Sequence, residues 1–185
     1  MSVKVNQLSV CDLALEGWGA GVLFSKLYDR DADEVEFQID GDDCFYILSG
    51  LSNGSKKLRV RGYLTRPHIP TWVTSLKLRT FSSPHLPDWI GHLTGLIELD
   101  LGTCTGMVDL GPIIGLINLV RVRVRLGPGV DIGPIGTLTG LQQLELPGLN
   151  PIIGVKQLGG LKNLTHLDLS GWDVVDLSPL NGMQG

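Results

Sequence analysis

Between Val73 and Leu169 an apolar triplet spaced L-x-x-L-x-L recurs five times, each copy 22 or 23 residues after the last. The copies are Val73/Leu76/Leu78, Leu96/Leu99/Leu101, Leu119/Val122/Val124, Leu141/Leu144/Leu146 and Leu164/Leu167/Leu169. A fixed period of that length means that one small unit is written repeatedly and that neighbouring units stack, because none can bury its apolar face alone. In Leu96-Ile97-Glu98-Leu99-Asp100-Leu101 the alternation is that of a short strand. Leu99 and Leu101 go inward, and Glu98, Asp100 and Gly102 go to solvent. The register therefore predicts one parallel sheet with one strand per unit. Leu76, Leu78, Leu99, Leu101, Val122, Val124, Leu144, Leu146, Leu167 and Leu169 are expected in a single buried row.

After each strand comes a return segment. In Leu110-Gly111-Pro112-Ile113-Ile114-Gly115-Leu116 the apolar residues Leu110, Ile113 and Leu116 recur every three positions, which suits a tight helical or 3-10 turn. The equivalent sets are Leu86/Ile90/Leu93, Ile132/Ile135/Leu138, Val155/Leu158/Leu161 and Leu177/Leu180/Met183. Many of the 25 glycines and 10 prolines fall in corners such as Gly111-Pro112, Gly133-Pro134 and Gly127-Pro128-Gly129. Triplet, period and short return together resemble the leucine-rich repeat. The implied fold is an α/β solenoid: a curved parallel β-sheet on the concave face, with short helical or 3-10 return segments behind it. In such a fold the non-repeating residues of the concave face are the expected binding surface.

Composition bounds the function. The 185 residues suffice for one leucine-rich-repeat domain with a continuous core, spanning 1–185. A net charge of −4 argues against generic nucleic-acid binding, which relies on basic surface. No apolar run is long enough to span a membrane, and Met1 to Cys11 show no signal-peptide pattern. Cys11, Cys44 and Cys104 are an odd, scattered set that reads as buried thiols of a reducing compartment, so a cytoplasmic location is expected. Asn53-Gly54-Ser55 and Asn163-Leu164-Thr165 match the glycosylation pattern but are taken as chance matches.

Residues 73–185 hold five regular repeats, and residues 1–72 read as degenerate ones. Lys57-Leu58-Arg59-Val60-Arg61 is a strand; Val35-Glu36-Phe37 stands 23 residues before Leu58-Arg59-Val60, and Leu8-Ser9-Val10 stands 27 before that. Ile69-Pro70-Thr71-Trp72-Val73 is echoed by Leu86-Pro87-Asp88-Trp89-Ile90. Trp72 lies only four residues before Leu76, whereas Trp89 lies ten before Leu99, so the strands at Val60 and Leu78 are expected to be joined by a shorter corner.

The run Ile47-Leu48-Ser49-Gly50-Leu51, through Lys57 to Gly62-Tyr63, to Pro70-Thr71-Trp72 resembles the leucine-rich repeats of plant intracellular immune receptors. These are the nucleotide-binding, leucine-rich-repeat class with a coiled-coil amino terminus, and Leu8 to Leu13 match a strand that often precedes the run. The resemblance covers nearly all of the chain and implies ligand or effector recognition in plant defence. Two departures stand out. The corner position, asparagine or cysteine in the consensus, is Phe81, Cys104, Gly127, Leu149 and Trp172, so the usual ladder under the turns is mostly missing. No phosphate-binding Gly-Lys-Ser/Thr loop occurs, so the family's nucleotide switch is not in this chain. Asp131-Ile132-Gly133-Pro134-Ile135 and Asp176-Leu177-Ser178-Pro179-Leu180 also resemble internalin-like and phosphatase-regulator repeats, which keeps a regulatory or scaffold role open. An enzyme inhibitor is a further alternative, without the expected signal peptide and paired cap cysteines.

No catalytic, cofactor or metal site is assigned. His166, Asp168 and Ser170 bring triad residue types to one strand face, but positions two apart lie about 6.6 Å apart, beyond the roughly 3 Å a nucleophile and base require. His68, His85, His92 and His166 show no paired ligand spacing with the cysteines. Trp72 and Trp89 read as packing residues at the convex edge. The better material is the concave ladder Ser9, Glu36, Arg59, Lys77, Asp100, Arg123, Glu145 and Asp168. Strands about 4.8 Å apart put Arg123 between Asp100 and Glu145. Arg121, Arg123 and Arg125 stand together, with Glu98 and Asp100 on one side and Gln143 and Glu145 on the other. Arg125 is the least neutralised, its expected neighbours being Gly102 and Pro147. A second basic group is Lys57, Arg59, Arg61, Lys77 and Arg79, with the acidic stretch Asp29 to Asp43 as a potential screen. The partner-binding candidates are thus Arg59, Arg61, Lys77, Arg79, Asp100, Arg121, Arg123, Arg125, Glu145, His166 and Asp168, facing a protein partner. The last repeat shows no polar cap, so Leu167, Leu169, Leu177 and Leu180 are expected to have an open flank, through which the chain either self-associates or continues as a piece of a longer solenoid.

Overall fold

The computed structural model describes residues 2–5, 34–38, 57–61, 73–78, 84–104, 106, 109–148, 153–173 and 176–181. Eight strands form one parallel sheet in chain order: β1 (Ser2–Val5), β2 (Glu34–Gln38), β3 (Lys57–Arg61), β4 (Ser75–Leu78), β5 (Glu98–Cys104), β6 (Arg121–Leu126), β7 (Gln143–Glu145) and β8 (His166–Asp168). Leu58, Leu76, Leu99, Val122, Leu144 and Leu167 lie in one line across six strands, so the repeat period is the sheet register. The fold is a leucine-rich-repeat solenoid.

The amino-terminal strands follow the sequence only in part. Val35, Glu36 and Phe37 pair with Leu58, Arg59 and Val60, and Val60 pairs with Leu78 eighteen residues later, the short unit expected there. The strand beside β2 is not Leu8-Ser9-Val10, however. It is Ser2–Val5, which puts Lys4 rather than Ser9 opposite Glu36. Two apolar alternations, Val3/Val5 and Leu8/Val10, compete in that stretch, and backbone pairing selects the first. Leu8 to Leu13 and the run from Ile47 to Trp72, apart from β3, lie outside the described residues, as do Arg79, Phe81, Leu149 and Met183.

Among the described residues the return segments are one α-helical turn, α1 (Asp88–Gly91), and four 3-10 segments, η1 (Gly111–Gly115), η2 (Gly133–Thr137), η3 (Val155–Gly160) and η4 (Ser178–Leu180). Three features of the sequence start the 3-10 segments. Apolar residues every third position put Ile113, Ile135 and Leu158 inward. Pro112, Pro134 and Pro179 fix φ in the first turn, where no backbone donor is needed. Asp109, Asp131 and Asp176 accept, through Oδ1, the backbone N–H of Gly111, Gly133 and Ser178 at 2.7, 2.8 and 2.8 Å. Residue 153 is isoleucine, and η3 instead begins at Gly154 with φ +93. A Cβ there would come within 2.5 Å of Asp131 Oδ1 and 2.7 Å of Gly133 N. One repeat's aspartate cap thus fills the space that the next repeat's glycine leaves.

Successive units are also tied where the chain approaches each strand. The carbonyl of Thr74 accepts from both Ile97 and Glu98, and the pattern repeats at Ile97, Val120 and Gln142, with N···O distances of 2.8–3.0 Å. Asn118 and Asn163 each donate Nδ2–H to a carbonyl one unit back, Thr94 and Thr139, at 2.9 Å. The asparagine missing from the corner is therefore present on the approach to the strand. The Asn163 side chain, part of a glycosylation pattern, is used structurally. At the corner, Cys104 is buried and donates its S–H to the Leu101 carbonyl at 3.3 Å. Burial, helped by the charge of Asp100, pushes the thiol up to about 12.

The core runs as one layer from Val73 to Leu164. Eight of the ten row leucines and valines are buried, but Leu167 and Leu169 are only half-buried. Among the described residues no further unit stacks on them, and Leu180 is likewise half-covered while Leu177 is 49% exposed. Trp89 on α1 packs against the core from the convex side, as expected of it. Among the described residues no helix is long and apolar enough to cross a membrane.

Candidate functional site

Three rows of side chains run across the solvent face of the sheet, and each treats its charges differently. Ser75, Glu98, Arg121, Gln143 and His166 form the first. Ser75 donates Oγ–H to Glu98 Oε2 at 3.1 Å, Arg121 donates to the other carboxylate oxygen of Glu98, and Arg121 Nε donates to Gln143 Oε1 at 2.6 Å. Four strands are thereby stitched along one line. Arg121 has a partner on both sides, which makes it part of the sheet's framework.

Lys77, Asp100, Arg123, Glu145 and Asp168 form the second row. Register extends it to Arg59, Glu36 and Lys4. Arg123 stands between Asp100 and Glu145 as the spacing predicts, and it chooses Glu145, Nε to Oε2 at 3.2 Å. Asp100 turns back on its own strand and accepts the N–H of Gly102 at 3.0 Å. Asp168 does the same with Ser170 at 2.8 Å; that N–H and the Ser170 hydroxyl hold its carboxyl below the usual carboxylate range. His166 and Asp168 are therefore surface groups of β8, with Asp168 held by Ser170. Exposed pairs of this kind contribute about 0–1 kcal/mol each.

The third row holds Arg125. Its neighbour on β5 is Thr103, not Gly102. The register of β5 slips between Asp100 and Thr103, because Gly102 sits at φ +61 and inserts an extra residue into the strand. The sequence carries a signal for this bulge, an aspartate two residues before a glycine, Asp100-Leu101-Gly102, the pattern of an Asx turn. Register adds Arg61 on β3 to this side. Among the described residues Arg125 and Lys77 have no hydrogen-bond or ion-pair partner.

The bulge opens a pocket of about 510 Å³ lined by Lys77, Leu78, Asp100, Gly102, Thr103, Arg123, Arg125 and Pro147. Four of the candidates, Lys77, Asp100, Arg123 and Arg125, meet there. Arg121, Glu145, His166 and Asp168 lie outside its lining, on the strands from β6 to β8. Arg59 and Arg61 are placed by strand register beside the basic end. Leu78, Gly102, Thr103 and Pro147 complete the lining and were not among the candidates, since they look like ordinary core and corner residues. Among the described residues no group of three or more histidines, cysteines, aspartates or glutamates is placed to hold a metal ion.

No protein-family model matches the chain, and no curated protein matches it. Solved structures do. An internalin (inlF) from Listeria monocytogenes superposes with a TM-score of 0.55 at 18% identity, covering 82% of this chain and 45% of that one. Internalin C2 (inlC2) from the same organism gives 0.53 at 21% identity, covering 75% of this chain and 71% of that one. The chain thus spans less than half the length of the first. At these identities the likeness is one of fold, and the fold they share is the leucine-rich-repeat solenoid.

Proposed function

We propose that the chain is a non-enzymatic protein-recognition module that seats its partner on the concave strand face, around the pocket between β4 and β6. The observation that carries this reading is the division of labour among three neighbouring arginines. Arg121 is held on both sides and Arg123 on one, while Arg125 is exposed with no partner among the described residues. A solubilising or register-keeping role accounts for the first two and leaves the third beside an open pocket with no donor engaged among the described residues. Arginine with free planar donors is enriched at interfaces. The candidates Lys77, Asp100, Arg123 and Arg125 form the primary surface, with Arg59 and Arg61 beside it by strand register, and Glu145, His166 and Asp168 continue it over β7 and β8; Arg79 lies outside the described residues. The resemblance of the Ile47–Trp72 run to plant immune receptors supports ligand or effector recognition in the cytoplasm. The Asp131 and Asp176 repeats support the internalin-like regulatory reading equally well. Both place recognition on the same face.

The test is capture from extract with the parent protein and an Arg125→Glu variant matched for thermal midpoint. The reading predicts partners retained by the parent and lost by the variant. Equal capture by both would move recognition to the convex side or the ends of the solenoid.

A further inference from the structure

The charge pattern of the concave face narrows the chemistry of its partner. We infer that the pocket between β4 and β6 takes a carboxylate-rich, extended segment of a partner protein, with Lys77 and Arg125 as the principal donors; this rests on the concave-face reading above.

Three cationic side chains line the pocket and one anionic one. Arg123 has already committed its Nε to Glu145, and one oxygen of Asp100 is occupied by the Gly102 N–H. The unsatisfied remainder is cationic. Around the pocket the imbalance grows. By strand register Arg59 stands between Glu36 and Lys77 in the second row, and among the described residues the third-row positions Arg61, Thr103 and Arg125 include no acid. Like charges directly opposite one another on neighbouring strands are unfavourable until an anion comes between them. This basic quadrant sits in a chain of net charge −4, so it is a local arrangement against the overall sign. At the other end of the second row Glu145 and Asp168 are adjacent and acidic. A segment rich in carboxylates is therefore attracted over β3–β6 and repelled over β7–β8, which fixes its position along the sheet.

The form of the ligand follows from the geometry. Lys77 and Arg125 lie two strands and one row apart, about 12 Å by strand spacing and rise, and both line the one pocket. An extended peptide spaces same-side residues by about 6.6 Å, so two acidic residues at alternate positions reach both donors. The guanidinium of Arg125 offers the paired donors that match a carboxylate.

The test is fluorescence anisotropy of the full chain with a labelled, end-capped (Glu-Ser)5 peptide. A (Lys-Ser)5 peptide and an oligothymidylate of equal charge serve as comparisons. The inference predicts binding of the acidic peptide that weakens with added salt, falling at least about tenfold in Lys77→Glu and in Arg125→Glu. Lys156→Glu on η3, the same charge change on the convex side, stays within about twofold. Arg125→Gln, which removes charge without reversing it, shows an intermediate loss and guards against a folding defect in the reversal. Absence of binding, equal loss in Lys156→Glu, or equally tight and equally sensitive oligothymidylate binding overturns the inference. If the acidic peptide fails while partner capture still depends on Arg125, only the ligand chemistry falls and the concave-face reading stands.

Discussion

Gly154 and Asp131 show how one residue's role is written in another repeat. Gly154 needs a left-handed backbone, and the space beside it holds the carboxylate that starts η2. Gly154→Ala is expected to cost about 1–3 kcal/mol for the backbone alone, with the collision added. Asp131→Ala removes the carboxylate part of the collision and leaves the 2.7 Å approach to Gly133 N, so the double variant should still be more stable than the sum of the two single losses implies. Strict additivity in chemical denaturation would show that the two sites are independent. Cys104 makes a second residue-scale case. Its thiol, buried and pushed up to about 12, carries almost no thiolate at pH 8. Mass-spectrometric alkylation should leave Cys104 unlabelled in the native protein and label it on unfolding, and rapid native labelling would contradict its burial. At this scale, alternation alone read correctly which side chains of β5, β6 and β7 turn inward, whereas Ser75, at a solvent-face position of β4, is buried beside Glu98. Alternation misplaced the neighbour of Arg125, because a positive-φ glycine shifts register without changing composition.

The elements show where periodicity carries information and where it stops. From β4 onward the 22–23-residue period fixes each strand and return, because the same apolar positions must meet in every layer. Leu144 sits at the centre of that stack with no exposure, between Val122 and Leu167. Leu144→Ala is expected to lower stability by about 2–5 kcal/mol, and an unchanged denaturation midpoint would place it outside the core. Toward the amino terminus the spacing between paired strands goes from 23 residues to 18 on one side of β3, and Lys4 precedes Glu36 by 32. Without a constant period, an apolar pair such as Leu8/Val10 is as strand-like as Val3/Val5. Only the hydrogen-bonded partner decides between them.

At the scale of the whole molecule, two surfaces remain unsatisfied. One is the carboxy-terminal flank, where Leu167, Leu169 and Leu180 are half-covered and Leu177 and Ile153 are exposed. That flank was legible, since an apolar layer faces water wherever no further unit stacks on it. Self-association there predicts a molar mass in light scattering that rises with concentration and falls back in Leu177→Lys; a constant monomer mass would contradict it. The other surface is the concave basic quadrant. Its charges were legible as residue types, but its pocket was not, because the pocket depends on the β5 bulge and on which carboxylates are already occupied. The account stands or falls on whether a partner covers this quadrant. Arginine labelling with phenylglyoxal, read by mass spectrometry on the chain alone and with its captured partner, measures that directly. Concave-face recognition predicts protection of Arg125, and to a lesser degree Arg123, while acylation of Lys156 on the convex side is unchanged. Labelling of Arg125 that is the same in the complex as in the free chain would contradict it.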